Sequence, residues 1–194
     1  MKISLRILLS LLTVTLLSGC PGAVIVGGGT AVTAAHDRRT MGSFVEDTNI
    51  ELKTYSAISK DKELKDSSHI SVTSYNGIVL LSGETPTAEM RARAESIARG
   101  IEKVRKVQNE LVIASPASLS SASSDTWITT KVKTNLFKIK GHEDFDPTRV
   151  KVVTENGTVY LMGILRHDEA DAVVDVVRNI SGVQRVVKIF EYMD

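Results

Sequence analysis

The sequence predicts an α+β chain made of two copies of one αββαβ unit, each with two helices packed on a three-stranded mixed sheet. Three observations carry that expectation. Segments recur at a nearly constant offset: Asp47-Thr48-Asn49-Ile50 is matched by Asp125-Thr126-Trp127-Ile128 at 78, Asn76-Gly77 by Asn156-Gly157 at 80, and Ile101 to Val104 by Ile180 to Val183 at 79. Offsets that drift so little imply duplication with small loop changes. Each copy also holds an Asn-Gly pair between two apolar runs, a strong hairpin signal because both turn residues need positive φ. Finally, leucine is concentrated in the first nineteen residues while valine dominates the rest, a composition that leans toward strands.

A helix opens each copy, with Asp47 or Asp125 as candidate N-cap. In the second copy Ile128, Val132, Leu136 and Ile139 recur at helical spacing and form its buried stripe. The first strand alternates as Ile70, Val72 and as Val150, Val152, and the Asn-Gly turn leads into the second. The second helix places Met90, Ala94, Ile97 and Ala98 on one face in copy one, and Ala170, Val173, Val174 and Val177 in copy two. Strands Val104 to Ile113 and Val183 to Tyr192 close the units, with helices covering one sheet face. About 70 residues per unit can just support a core.

The ends and joints have their own signatures. Residues 1–19 form a signal peptide: Lys2 and Arg6, then the apolar run Ile7 to Leu17, too short to span a bilayer comfortably. The run ends in Leu17-Ser18-Gly19-Cys20, which resembles a bacterial lipobox. Cys20, the single cysteine, is thereby a lipid attachment point, carrying diacylglycerol and an N-acyl chain, and Pro21 in place of Asp favours the outer membrane. Three acyl chains exceed the two-signal threshold for stable anchoring. Residues 20–45 read as a flexible tether with a reach of roughly 25–30 Å. Residues 46–113 and 125–194 are the two domains, and Ser/Ala-rich 114–124 is the linker.

Charge excludes one class of partner. The chain has 24 Lys and Arg against 23 Asp and Glu, so no basic excess supports nucleic-acid binding. His36, His69, His142 and His167 have no metal-ligand spacing, and no nucleophile or phosphate-loop motif appears. Asp168, Glu169, Asp171 and Asp175 read as a solvated helix flank. No enzyme, metal or free cofactor is expected.

The hairpin Asn156-Gly157-x-Val159-x-Leu161-x-Gly163, the second helix and Gly182-Val183 resemble the BON domain. Copy one departs from the pattern with Lys103 in place of that last glycine, which predicts a looser turn. Ser124 to Val132 is especially similar to the DolP/YraP family of dual-BON outer-membrane lipoproteins. The resemblance implies phospholipid binding, a periplasm-facing location, and a role in outer-membrane integrity and at the division site.

The two copies differ where the second carries Trp127. That indole shares a helical line with Lys131, Thr134 and Lys138, about 100° from the buried stripe. The matching line in copy one is Asn49, Lys53, Ser56 and Lys60. Trp favours the membrane–water interface, and each nearby Lys contributes about 1 kcal/mol beside anionic lipid. Between Asp125 and Lys140 stand four lysines and one aspartate, a local positive charge inside a near-neutral chain. The expected ligand of Trp127, Lys131, Thr134 and Lys138 is anionic phospholipid such as phosphatidylglycerol. Two other readings stay open: Trp127 packs on the linker or on copy one, or the surface is a scaffold for outer-membrane assembly, cell-wall or division proteins.

Overall fold

The first helix begins where Thr40 accepts a hydrogen bond from Ser43 N, and it runs unbroken over Met41–Lys60 (α1). The computed structural model describes residues 38–114, 119–141 and 144–193, with no side-chain account of 119–122. The signal peptide, Cys20, most of the tether, His36, His142 and Glu143 lie outside the described residues. A short helix, Lys62–Ser67 (α2), follows, its first turn capped by Asp61. The hairpin His69–Tyr75 (β1) and Ile78–Thr85 (β2), the helix Ala88–Arg99 (α3) and the strands Lys106–Asn109 (β3) and Val112–Ile113 (β4) complete the first repeat. The second repeat consists of Leu119–Leu136 (α4), a 3-10 turn at Pro147–Arg149, Lys151–Glu155 (β5), Thr158–Arg166 (β6), His167–Arg178 (α5) and Arg185–Met193 (β7).

Each sheet is mixed, as the sequence predicts. β1 and β2 are antiparallel while β3 and β4 both lie parallel to β2; β5, β6 and β7 repeat the plan in the order β5-β6-β7. The hairpins close at Tyr75↔Ile78 and Glu155↔Thr158, and all four turn residues have φ between 47° and 73°. That is the type I′ geometry that matches strand twist and selects Asn-Gly.

The helices bury one face of each sheet in separate cores. Ile50, Ile58, Leu64, Val79, Leu81 and Met90 lie in the first, and Ile128, Val132, Leu136, Val159, Leu161 and Val173 in the second. A third core joins Tyr75, Ile78 and Leu80 of the first sheet to Tyr160, Met162 and Ile189 of the second. The two sheets therefore pack against each other through the faces that the helices leave bare, giving four layers, helix–sheet–sheet–helix. Polar pairs rim this seam. Asn76 Nδ2 donates to Glu191 Oε2 at 2.6 Å, and its counterpart Asn156 donates to Glu84 of the first repeat. Arg105 pairs with Glu191 at 2.7 Å, and Lys151 with Glu51 at 2.8 Å.

Several expectations change. Asp47 and Asp125 do not cap their helices; both lie within them, buried, and bind the hairpin turns. Asp125 accepts from Asn156 N at 2.7 Å and Gly157 N at 2.9 Å; Asp47 accepts from Asn76 N, Gly77 N and Ser74 Oγ at 2.7–2.8 Å. A buried carboxylate is stable there because amide donors surround it. Helix α1 starts inside the stretch read as tether, and α4 starts inside the stretch read as linker. Glu169 is not on a solvated flank. It is fully buried, accepts from Arg166 N at 2.8 Å, and holds Arg38 in a two-pronged pair at 2.6 and 2.8 Å. Burial pushes its carboxyl upward, but the bonds from Arg38 and Arg166 outweigh that and hold it below the ordinary range. Lys103 keeps the left-handed turn, at φ 70°, rather than loosening it. The last strand of copy one divides into β3 and β4, with Glu110 and Leu111 between them.

Candidate functional site

Two constraints fix the rotation of α4 about its axis. Ile128, Val132 and Leu136 enter the second core, and Asp125 holds the turn at Asn156-Gly157. The opposite face is left to solvent. Trp127, beside Ile128 and two residues from Asp125, projects outward with 61% of its surface exposed.

Lys131 lies one turn along, its Nζ 5.2 Å from the Trp127 ring centroid and 3.2 Å from Ser181 O, to which it donates. The ammonium sits over the ring at cation–π distance and holds the indole in place. Thr134 is exposed, its hydroxyl donating back to Thr130 O at 2.8 Å. The helix ends at Leu136, so Lys138 stands in the following turn, where its Nζ donates to Asn135 Oδ1 at 3.0 Å. Trp127, Lys131 and Thr134 thus share the solvent face of α4, with Lys138 just beyond its end. None of Lys131, Lys133, Lys138 and Lys140 forms an ion pair with a carboxylate among the described residues; Lys133 lies off the Trp127 line, lining a cleft with His69, Asp125 and Glu155.

Phe137, in the turn that follows Leu136, is a second exposed aromatic residue of this segment, and helical spacing does not point to it. It is 67% exposed, ten residues beyond Trp127. Its one signal is an apolar residue breaking the stripe between Leu136 and Ile139. Exposed aromatic rings therefore stand midway along the helix and just past its end, with Lys131 between them in sequence and Lys138 beside the second. Such a surface can insert apolar rings at an interface while lysines meet anionic groups; it offers no nucleophile–base pair for catalysis. The equivalent line of the first repeat is weaker: Asn49 replaces the indole, and Lys53 lies 3.8 Å from Glu102. No three His, Cys, Asp or Glu side chains gather as a metal site among the described residues, and no described helix is long and apolar enough to cross a membrane.

Comparison with known proteins matches this architecture. The BON domain profile fits residues 46–115 and 124–193, one match on each repeat. The chain is 40% identical over 178 residues to the outer membrane lipoprotein DolP of Haemophilus influenzae, covering 92% of this chain and 91% of that one. It is 38% identical over 157 residues to a 21 kDa hemolysin of Actinobacillus pleuropneumoniae, covering 81% and 79%. It is also 29% identical over 155 residues to osmotically-inducible protein Y of Escherichia coli, covering 76% and 75%. With two BON repeats in tandem and a full-length relative at this identity, the chain belongs to the BON domain family and, within it, to the dual-BON lipoproteins of the DolP/YraP family.

Proposed function

We propose that this protein is a non-enzymatic outer-membrane lipoprotein, anchored through Cys20 on the periplasmic face, whose second BON domain binds anionic phospholipid such as phosphatidylglycerol. The observation that carries the reading is Trp127: an indole more than half exposed, held by a lysine, on a helix whose other face is fully committed to the core. The identity to a protein named as an outer membrane lipoprotein supports the location. Because the anchor already provides attachment, the second contact supplies lipid selectivity and position. Even a weak headgroup affinity suffices once tethering raises the effective concentration. In this role the protein supports outer-membrane integrity and gathers where anionic lipid is enriched, as at the division site.

The test is vesicle co-sedimentation of the chain from residue 21 onward. Wild-type protein binds phosphatidylglycerol vesicles and not phosphatidylcholine ones, and Trp127→Glu abolishes binding. Unchanged binding by Trp127→Glu removes the site. A scaffold role has its own support, because exposed apolar side chains on α1 form a second surface, on the first repeat.

A further inference from the structure

Hairpin geometry dictates which backbone groups of β1 face away from β2. In a two-residue turn the closing pair, Tyr75↔Ile78, exchanges hydrogen bonds, and bonded pairs then alternate along the ladder. Ile70, Val72 and Ser74 are therefore the residues whose N–H and C=O point out of the sheet. Ser74 is already satisfied: its N–H donates to Glu51 at 2.7 Å, and its carbonyl accepts from Lys151 at 3.2 Å. Among the described residues nothing equivalent blocks Ile70 and Val72, and β1 is an edge strand.

Those two residues open into a groove of about 720 Å³ between β1 and α1. Its apolar lining includes Leu52, Tyr55, Ile58, Ile70, Val72 and, from the second repeat, Val153. Leu52 and Tyr55 are 64% and 61% exposed; Met41, Phe44 and Val45, on the same side of α1 beyond exposed Thr48, are exposed as well. Helix α1 is thus apolar on two sides, although only one packs on the core. Ser68 Oγ, in the groove lining, is shielded from solvent and lacks a hydrogen-bond partner among the described residues. The free charge is positive, since Glu51 is occupied by Ser74 and Lys151 while Lys65, at the far end of the groove, has no carboxylate partner among the described residues.

We propose that this groove binds an extended segment of another polypeptide as an added strand on β1. Backbone bonds form at Ile70 and Val72, alternate apolar side chains lie against Leu52 and Tyr55, and an acidic residue meets Lys65. An unblunted edge with an apolar wall is the physical requirement for strand addition. The site lies on the first repeat and is independent of the lipid surface on α4.

The experiment is display selection of random eight-residue peptides on the chain from residue 21 onward, which contains all three cores. Selected peptides are then measured against Val72→Pro and Leu52→Lys. Proline removes an outward N–H that the β1–β2 ladder does not use, and Leu52 is exposed, so the second variant folds even where the first does not. Expected are peptides alternating apolar residues with an acidic one, bound about tenfold more weakly by each folded variant, the effect of one lost hydrogen bond or apolar contact. Amide exchange at Ile70 and Val72 slows on binding. The proposal is overturned by an absence of enriched peptides, by equal binding to Leu52→Lys, or by protection of Val72 with phosphatidylglycerol vesicles and not with peptide.

Discussion

Replacing Asp125 by alanine tests the duplicated aspartate–turn contact. Its carboxylate is buried and accepts from Asn156 N at 2.7 Å and Gly157 N at 2.9 Å. Hydrogen bonds to a charged group contribute roughly 1.5–3 kcal/mol each, and removing the acceptor also strands the buried Gly157 amide. The two losses overlap, so Asp125→Ala costs about 3–4 kcal/mol, a large share of the stability of a small domain. Asp125→Asn keeps one acceptor but turns an NH₂ group toward an N–H donor, and recovers less than half of that. Asp47→Ala costs at least as much, because Asp47 also accepts from Ser74 Oγ and pairs with Arg39 at 2.8 Å. The assay is equilibrium urea unfolding, followed by far-ultraviolet circular dichroism and by Trp127 fluorescence on the affected helix. An Asp125→Ala variant within about 0.5 kcal/mol of wild type, the range of ordinary surface substitutions, refutes the reasoning.

The remaining predictions concern charge and backbone strain. Arg38→Ala removes the two-pronged partner of buried Glu169, leaving the Arg166 guanidinium at 3.6 Å and its backbone N–H, and destabilises by about 3 kcal/mol at neutral pH, measured by urea unfolding. Because the folded Glu169 carboxyl is held low, its stabilising contribution is present above the unfolded value and is lost as pH falls through the folded one; Glu169→Gln flattens that part of the acid-stability profile. Glu155 behaves in the opposite way: burial raises it, and Glu84 and Asp125 add to the rise against the opposing charge of His69. Glu155→Gln therefore stabilises at neutral pH, and the gain disappears below the unfolded carboxylate range in a pH series of thermal melts. Lys103→Gly relieves a left-handed lysine and raises stability by up to about 1 kcal/mol, less the loss of its exposed pair with Glu46.

What the sequence shows is mainly what is local. The Asn-Gly turns declare themselves because their φ requirement sits within two residues. The second helices do so because Ala170, Val173 and Val177 keep a single apolar face. The work of Asp47 and Asp125 was hidden because their turn-amide partners lie 29 to 32 residues away. The start of α1 was hidden because exposed Met41, Phe44 and Val45 lie opposite buried Ile50 and Ile58, which blurs the amphipathic contrast. The sheet-on-sheet seam did leave a trace. Ile78-Val79-Leu80-Leu81 and Val159-Tyr160-Leu161-Met162 do not alternate, as befits strands covered on both faces. At the site, Trp127 and its lysines were legible from helical spacing. Phe137 was not, because the helix ends at Leu136 and the turn redirects the residues beyond it.

The central claim is that Trp127 enters an anionic lipid surface. The chain has one tryptophan, so its fluorescence reports on this site alone. On adding phosphatidylglycerol vesicles to the chain from residue 21 onward, Trp127 emission shifts to shorter wavelength, and lipids brominated near the glycerol backbone quench it. Phosphatidylcholine vesicles leave it unchanged. An emission spectrum unaltered by saturating phosphatidylglycerol, with no quenching by brominated lipid, contradicts the account.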